Sequence, residues 1–480
     1  MSGIKAETVK AAKWSFIQRF TVQPVQLLYG MVLARFITPT EMGIMGLTAI
    51  FFAVAGTLAD SGFGAAIIRK QDKTDDDINT VFWFNLAMSC VMSGALFILA
   101  PWFAEFYGHP ELLWLTRVSA IMMFLSSSAS VHNALFQSRR DFKTLSIIGM
   151  VSTFTGMPIC LALAWQGWGV WALMVQNVVS SLLTLILIWT FSPWKPRLIF
   201  SKSSFNELFG FGSKLALAGL LHTVYMEART FIIGKFYSAG QLGLYSRGHS
   251  LAALTPATLN GILATITYPI LATIQDDDTR LAHVYRQYIK VSSVAIAWFS
   301  MVLVAVAEPA VYITYGETWV PCAIFIQILC FVYAFDHICS INVNLLRVKG
   351  KSGAILRLEI IKKSISMAIL IYAATIGVEA MCWGMVIYTQ IAVYINCYYT
   401  KSLIGLGWWK QQKDYLPYYL LAALCSSPAF ALTFTELHAF WQVFIGGSAS
   451  LLLYAGTLYF CKESAFMELF SIMLKKFQRN

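Results

Sequence analysis

Charge is what this sequence has least of: only 12% of its 480 residues are Asp, Glu, Lys or Arg, against 58% hydrophobic. Together with a mean hydropathy of +0.64, that scarcity excludes an ordinary soluble domain. A cleavable leader is not expected either. Met1 to Lys13 has neither the short apolar core nor the small-residue cleavage site of one, and the apolar run from Trp14 is too long, so it reads as a retained span. The nine cysteines (Cys90, Cys160, Cys322, Cys330, Cys339, Cys382, Cys397, Cys425, Cys461) form no CxxC pair and have no His-rich partner. They read as packing residues in lipid, and no metal or other cofactor is expected. The formal charge of +11 is not gathered into one basic face, which argues against nucleic acid as a partner.

What the chain does have is apolar runs of membrane-crossing length, almost end to end. A bilayer core about 30 Å thick needs roughly 20 apolar residues per helix. Such runs fall near 14–37, 42–59, 81–106, 112–136, 146–165, 168–190, 208–236, 241–272, 285–307, 319–346, 352–376, 378–400, 414–435 and 437–461. The expected fold class is therefore an all-α membrane protein of about fourteen helices. Basic residues alternate with these runs. One side collects 24 of the 35, in clusters such as Lys5/Lys10/Lys13, Arg69/Lys70/Lys73, Arg139/Arg140/Lys143 and Lys401/Lys410/Lys413, while the opposite loops and adjoining span ends hold only Arg35 and Lys235. Short cytoplasmic loops accumulate positive charge, so both termini are expected in the cytoplasm; the family resemblance described below implies that the membrane is a bacterial inner membrane.

An internal repeat appears at an offset of 200. Leu33-Ala-Arg35-Phe36-Ile-Thr-Pro39-Thr-Glu41-Met42-Gly43-Ile44 aligns without gaps on Ile233-Gly-Lys235-Phe236-Tyr-Ser-Ala239-Gly-Gln241-Leu242-Gly243-Leu244, and Asp75-Asp76-Asp77 matches Asp276-Asp277-Asp278 within one residue. Six spans separate the copies, so the two run in the same direction, as parallel repeats do. The expected organisation is a six-helix bundle over 1–200, a second over 201–410, and two further spans with an amphipathic cytoplasmic tail over 411–480.

Four segments carry a family resemblance: Ala11-Ala-Lys13-Trp14-Ser15; Leu58-Ala-Asp60-Ser-Gly62-Phe-Gly64-Ala-Ala-Ile-Ile-Arg69; Tyr268-Pro269 with Ile274-Gln275-Asp276-Asp277; and Tyr315-Gly316-Glu317-Thr-Trp319 with Gln327-Ile-Leu-Cys330. In these the chain resembles the polysaccharide transporters of the multidrug/oligosaccharidyl-lipid/polysaccharide exporter superfamily, and within them the colanic-acid exporters. The resemblance implies two six-helix bundles, a cavity lined mainly by spans 1, 2, 7 and 8, and alternating access. It also implies a substrate of undecaprenyl-diphosphate-linked glycan repeat units.

Ionisable groups inside spans are costly and mark pathways or partners. Span 1 carries Arg19, Gln23 and Gln26 on one face, with Pro24 able to kink it. Span 7 carries Lys214, His222, Tyr225 and Arg229 near one stripe, with Glu227 beside Arg229, and span 8 adds Arg247 and His249. A diphosphate needs fixed positive charge and several donors, which guanidinium groups supply. Arg19, Gln23, Lys214, His222, Tyr225, Arg229 and Arg247 are thus candidate substrate-binding residues, each weighed against snorkelling to the interface or local pairing. Asp336, beside His337 within an apolar run, is a candidate for ion or proton coupling, with Glu227; the alternative is a structural polar pair. The cluster Arg357, Glu359, Lys362, Lys363 reads as pairing along one helix.

The Asp triplets read as helix caps rather than metal-binding acids, and no enzyme activity is expected, because a glycan polymerase or ligase would carry a sizeable external loop. Membrane lipid and the glycan polymerase machinery are the other partners considered. Two alternatives to a lipid-linked oligosaccharide flippase stay open: a cation-coupled multidrug exporter of the same superfamily, and a nonenzymatic scaffold for glycan assembly.

Overall fold

The computed structural model describes residues 21–467, apart from Ser61 and Gln71, together with Trp14 and Gln18. Arg19, most of the Ala11–Ser15 segment and the tail beyond Met467, where the surface helix is expected, lie outside the described residues. Those described are helical with no strand, so the chain is all-α.

The chain divides into two compact units, Met1–Gly243 and Leu244–Asn480. In unit 1 a first helix (α1, 21–33) is followed by α2 (Pro39–Asp60), the short α3 (Phe63–Arg69), α4 (Asp75–Tyr107), α5 (Glu111–Ser138), α6 (Phe142–Trp165), α7 (Val170–Phe191) and α8 (Lys202–Phe236). Helix α9 (Ala239–Thr273) begins in unit 1 and continues into unit 2. Unit 2 then contains α10 (Asp278–Ala305), α11 (Ala307–Tyr315), a 3-10 turn (Glu317–Cys322), α12 (Ala323–Ala334), α13 (Asp336–Val348), α14 (Ser352–Ala373), α15 (Val378–Ile404), α16 (Trp408–Leu432) and α17 (Ala439–Phe460). The boundary at Gly243 comes later than the 200/201 division read from the repeat, because α8 packs on α2, α3 and α4.

Among the described residues, ten segments are long and apolar enough to cross a membrane: α2, α4, α5, α6, α7, α10, the run from the 3-10 turn through α13, α15, α16 and α17. Helix α14 is long enough, but Arg357, Glu359, Lys362 and Lys363 interrupt its apolar character, and Lys362 pairs with Glu359 at 2.6 Å as the spacing suggests. Outward faces are apolar. Ile98 is 77% exposed, Leu452 73% and Phe460 84%, an arrangement stable only against lipid.

Helices α4 and α10 start several residues before their apolar runs because the Asp triplets build their first turns. Asp77 completes a capping box: its carboxylate accepts the Thr74 N–H at 2.9 Å, and Thr74 Oγ1 accepts the Asp77 N–H at 3.2 Å. Asp277 caps α10 by accepting the Arg280 N–H at 2.9 Å. Lys70 reaches both Asp77 and Glu207 at 2.9 Å, joining the end of α3 to α4 and α8, and the acids at Glu207 and Asp77 hold its ammonium above the usual lysine range.

The 200-residue repeat reappears as a reciprocal contact inside unit 1. A Cβ at Gly43 would lie 1.7 Å from the Ala239 carbonyl oxygen, and one at Gly243 would lie 1.8 Å from that of Pro39. Residues 39 and 43 thus each meet the other's repeat partner, 43 against 239 and 39 against 243, backbone against backbone. Only glycine permits that approach.

Candidate functional site

In unit 1, α2 and α8 line a cleft of about 650 Å³. The motif Asp60-Ser-Gly62-Phe-Gly64 shapes its end. Gly62 is left-handed (φ 70°), and a Cβ there would fall 2.4 Å from the Gly212 carbonyl oxygen of α8, so the turn between α2 and α3 sits directly on α8. Farther along, Thr57 and Thr223 share a hydroxyl–hydroxyl hydrogen bond of 3.0 Å, and Gly219 lies in van der Waals range of Thr57. Small residues and a hydrogen bond therefore set the helix separation.

The ionisable groups on the cleft wall are Asp60, His222 and Glu227. Asp60 stood in the sequence only as part of a motif, at the end of an apolar run. The cleft is acidic, whereas the sequence pattern suggested a cationic one. Geometry explains the difference. At about 100° per residue, the lining positions Leu215, Gly219, His222, Thr223 and Met226 form one face of α8, and Lys214, Tyr225 and Arg229 occupy the adjoining face, with His222 on the edge between them. Lys214 is exposed; Tyr225 and Arg229 are half-buried. Gln23 is half-buried on α1. Among the described residues no three His, Cys, Asp or Glu side chains converge closely enough to hold a metal ion.

Unit 2 fixes its charges differently. The Arg247 guanidinium lies 4.8 Å from the Tyr315 ring centroid and 5.3 Å from that of Trp319, so the Tyr315-Gly316-Glu317-Thr-Trp319 motif forms an aromatic clamp around it. His249 bonds the Tyr333 hydroxyl at 2.5 Å, and Gly248 between them lets α9 press on Phe325. Asp336 and His337 are placed differently. The helix breaks at Phe335, leaving Asp336 exposed at the start of α13, while His337 is fully buried with Nε2 3.1 Å from Ser293 Oγ. The break frees the Ala334 carbonyl, which accepts the Tyr419 hydroxyl instead.

A second polar centre in unit 2 escaped sequence reading. Buried Asp414 accepts two hydrogen bonds from Arg286, at 2.8 and 2.7 Å, with Lys290 3.8 Å away. Beside it Tyr285 donates to Asn342, which exchanges 3.3 Å hydrogen bonds with Gln411, and Gln411 donates to Thr400 at 2.9 Å. This network ties α10, α13 and α15 to α16.

Residues 32–324 match the family described as "Polysaccharide biosynthesis protein". The chain is similar to the succinoglycan biosynthesis transport protein ExoT of Rhizobium meliloti, 23% identical over 89% of this chain and 85% of that one. It is equally similar to the lipopolysaccharide biosynthesis protein WzxC of Escherichia coli, 23% identical over 87% and 86%. Among solved structures, the lipid II flippase MurJ in an inward closed conformation has the same fold at 12% identity, with a TM-score of 0.72 over 97% of this chain and 99% of that one. An inward-facing multidrug transporter of the MATE family gives 0.61 over 82% and 98%, at 16% identity. Family and fold are those of transporters, and the chain belongs to the polysaccharide biosynthesis protein family.

Proposed function

We propose that this protein flips undecaprenyl-diphosphate-linked oligosaccharide repeat units from the cytoplasmic to the outer leaflet of a bacterial inner membrane, by alternating access. The observation that carries the reading is the family match over residues 32–324, in a chain whose relatives include a succinoglycan biosynthesis transport protein and a lipopolysaccharide biosynthesis protein. Fold coverage favours it over a multidrug exporter: the flippase fold spans 97% of the chain, α16 and α17 included, and the multidrug fold 82%. Fourteen crossings follow if α1, α8, α9 and α14 join the ten apolar segments, giving six, six and two, and the skew of basic residues then puts both termini in the cytoplasm.

Helix α8 holds two kinds of chemistry on adjoining faces. Lys214, Arg229 and Tyr225, with Gln23 and Arg19 of span 1, supply the cations and donors a diphosphate needs. Asp60 and Glu227, with His222 at the edge, supply carboxylates whose protonation drives the cycle; Asp336, exposed in unit 2, is a secondary candidate for coupling. Arg247 contributes by holding its helix in place. The test is deletion of the gene in its own host: lipid-linked repeat units should accumulate on the cytoplasmic leaflet, out of reach of an externally added glycosidase, while surface polysaccharide disappears. Normal surface polysaccharide with lost efflux of organic cations would establish the exporter instead.

A further inference from the structure

A second cleft, about 420 Å³, lies in unit 2 where α15 turns into α16, far along the chain from the transport residues considered above. Its wall combines two chemistries: the rings of Tyr394, Tyr398, Trp408 and Trp409, and the ammonium groups of Lys401 and Lys410. The turn positions them. Gly405 is left-handed (φ 69°) and closes α15, while the aliphatic stem of Lys401 lies 3.3 Å from where a Cβ of Gly407 would stand. Lys410 donates to the Gly405 carbonyl at 3.2 Å, leaving further donors on its ammonium. Helix α16 starts at Gly407 with no side-chain cap, so the N–H groups of its first turn also face an anion-favouring end. The Trp408 indole nitrogen is buried and has no hydrogen-bond partner among the described residues.

Below the cleft, α15 carries an unbroken outward stripe. Trp383, Ile387, Tyr394 and Tyr398 recur at helical spacing, and each is at least half exposed, with Tyr398 at 73%. Lys401 ends that stripe. Aromatic rings and lysines at the end of a crossing helix, above an apolar strip facing hydrocarbon, match the headgroup, interface and acyl regions of one lipid molecule. A soluble anion would use the lysines and leave the stripe without purpose.

We infer that this cleft is a binding site for the phosphate headgroup of an anionic membrane phospholipid, with its acyl chains along the outward face of α15. The inference rests on the chain spanning a membrane and not on its cargo, so it stands or falls separately from the flippase reading. The test is native mass spectrometry of the purified full chain, offered phosphatidylglycerol or phosphatidylcholine with identical acyl chains. The wild-type chain should retain phosphatidylglycerol preferentially. Retention should fall about fivefold for Lys401→Ala or Lys410→Ala alone and about thirtyfold for both, with phosphatidylcholine unaffected. Lys401→Arg with Lys410→Arg should restore it, and Trp408→Phe should lower it without removing charge. Both lysines are exposed, so a wild-type thermal midpoint is expected throughout. Equal retention of the two lipids, or phosphatidylglycerol retention unchanged in the double alanine variant, overturns the proposal. So does displacement by millimolar inorganic phosphate, which would reveal a free-anion site, or preferential retention of undecaprenyl phosphate, which would reassign the cleft to the carrier.

Discussion

The cleft of unit 1 and the polar centres of unit 2 place charge in different settings. In unit 2 the buried Asp414 accepts a two-point hydrogen bond from Arg286, and the half-buried Arg247 lies against two aromatic rings. In unit 1, Asp60, His222 and Glu227 line a cleft with room for water, between helices held apart at fixed distance by Gly62, Gly212, Gly219 and the Thr57–Thr223 bond. A locked charge stabilises one structure; a charge beside open space can change its protonation without dismantling its surroundings. On the proposed reading, unit 1 is the working half of the comparison and unit 2 the framework.

Substitutions should separate the two. In unit 1, Asp60→Asn and Glu227→Gln are expected to abolish export of surface polysaccharide while the thermal midpoint stays at its wild-type value; export at wild-type level in both would remove the cleft from the transport cycle. In unit 2 the effect should fall on stability. Asp414→Ala removes the partner of Arg286 and Lys290, and breaking a buried pair costs about 3–5 kcal/mol. Arg286 is 46% exposed and can take up water, which places the loss near ~3 kcal/mol. Denaturant unfolding in detergent measures it, and an unchanged midpoint would mean that the network does not hold α16. Tyr419→Phe should cost less, about 2 kcal/mol, by removing the hydroxyl that the buried Ala334 carbonyl accepts at the helix break.

Much of this fold was legible in the chain because a crossing helix needs a run of apolar residues that almost nothing else produces. The starts of α4 and α10 were misplaced by several residues, since a hydropathy reading passes over the polar first turn that an Asp cap initiates. The break at Phe335 left no local mark: what satisfies the freed Ala334 carbonyl is Tyr419, 85 residues later. On α8 the spacing of Lys214, Tyr225 and Arg229 identified a polar face, but the face that packs on α2 was decided by Gly212, Gly219 and Thr223, residues too small and neutral to attract notice. Asp60 and Asp414 were passed over for a shared reason. Each stands at the end of an apolar run, where an acid ordinarily meets water, and only tertiary packing directs Asp60 to a cleft and buries Asp414 under Arg286.

The smallest expected effect tests the comparison most finely, because it sets two half-buried arginines against each other. Arg247→Ala deletes the cation between Tyr315 and Trp319, worth about 1 kcal/mol for a partly desolvated pair. Both rings are buried, so the void between them cannot be filled cheaply by solvent. Arg247→Lys keeps the charge but not the flat stacking surface and should recover part of the loss. Export, normalised to folded protein in the membrane, should stay close to wild type in both variants, because the clamp holds α9 on its neighbours rather than touching cargo. Arg229→Ala should do the reverse, leaving the midpoint unchanged and ending export. Should Arg247→Ala end export with no change in midpoint, the aromatic clamp would be a poised binding site, and unit 2 would share the transport chemistry assigned here to unit 1.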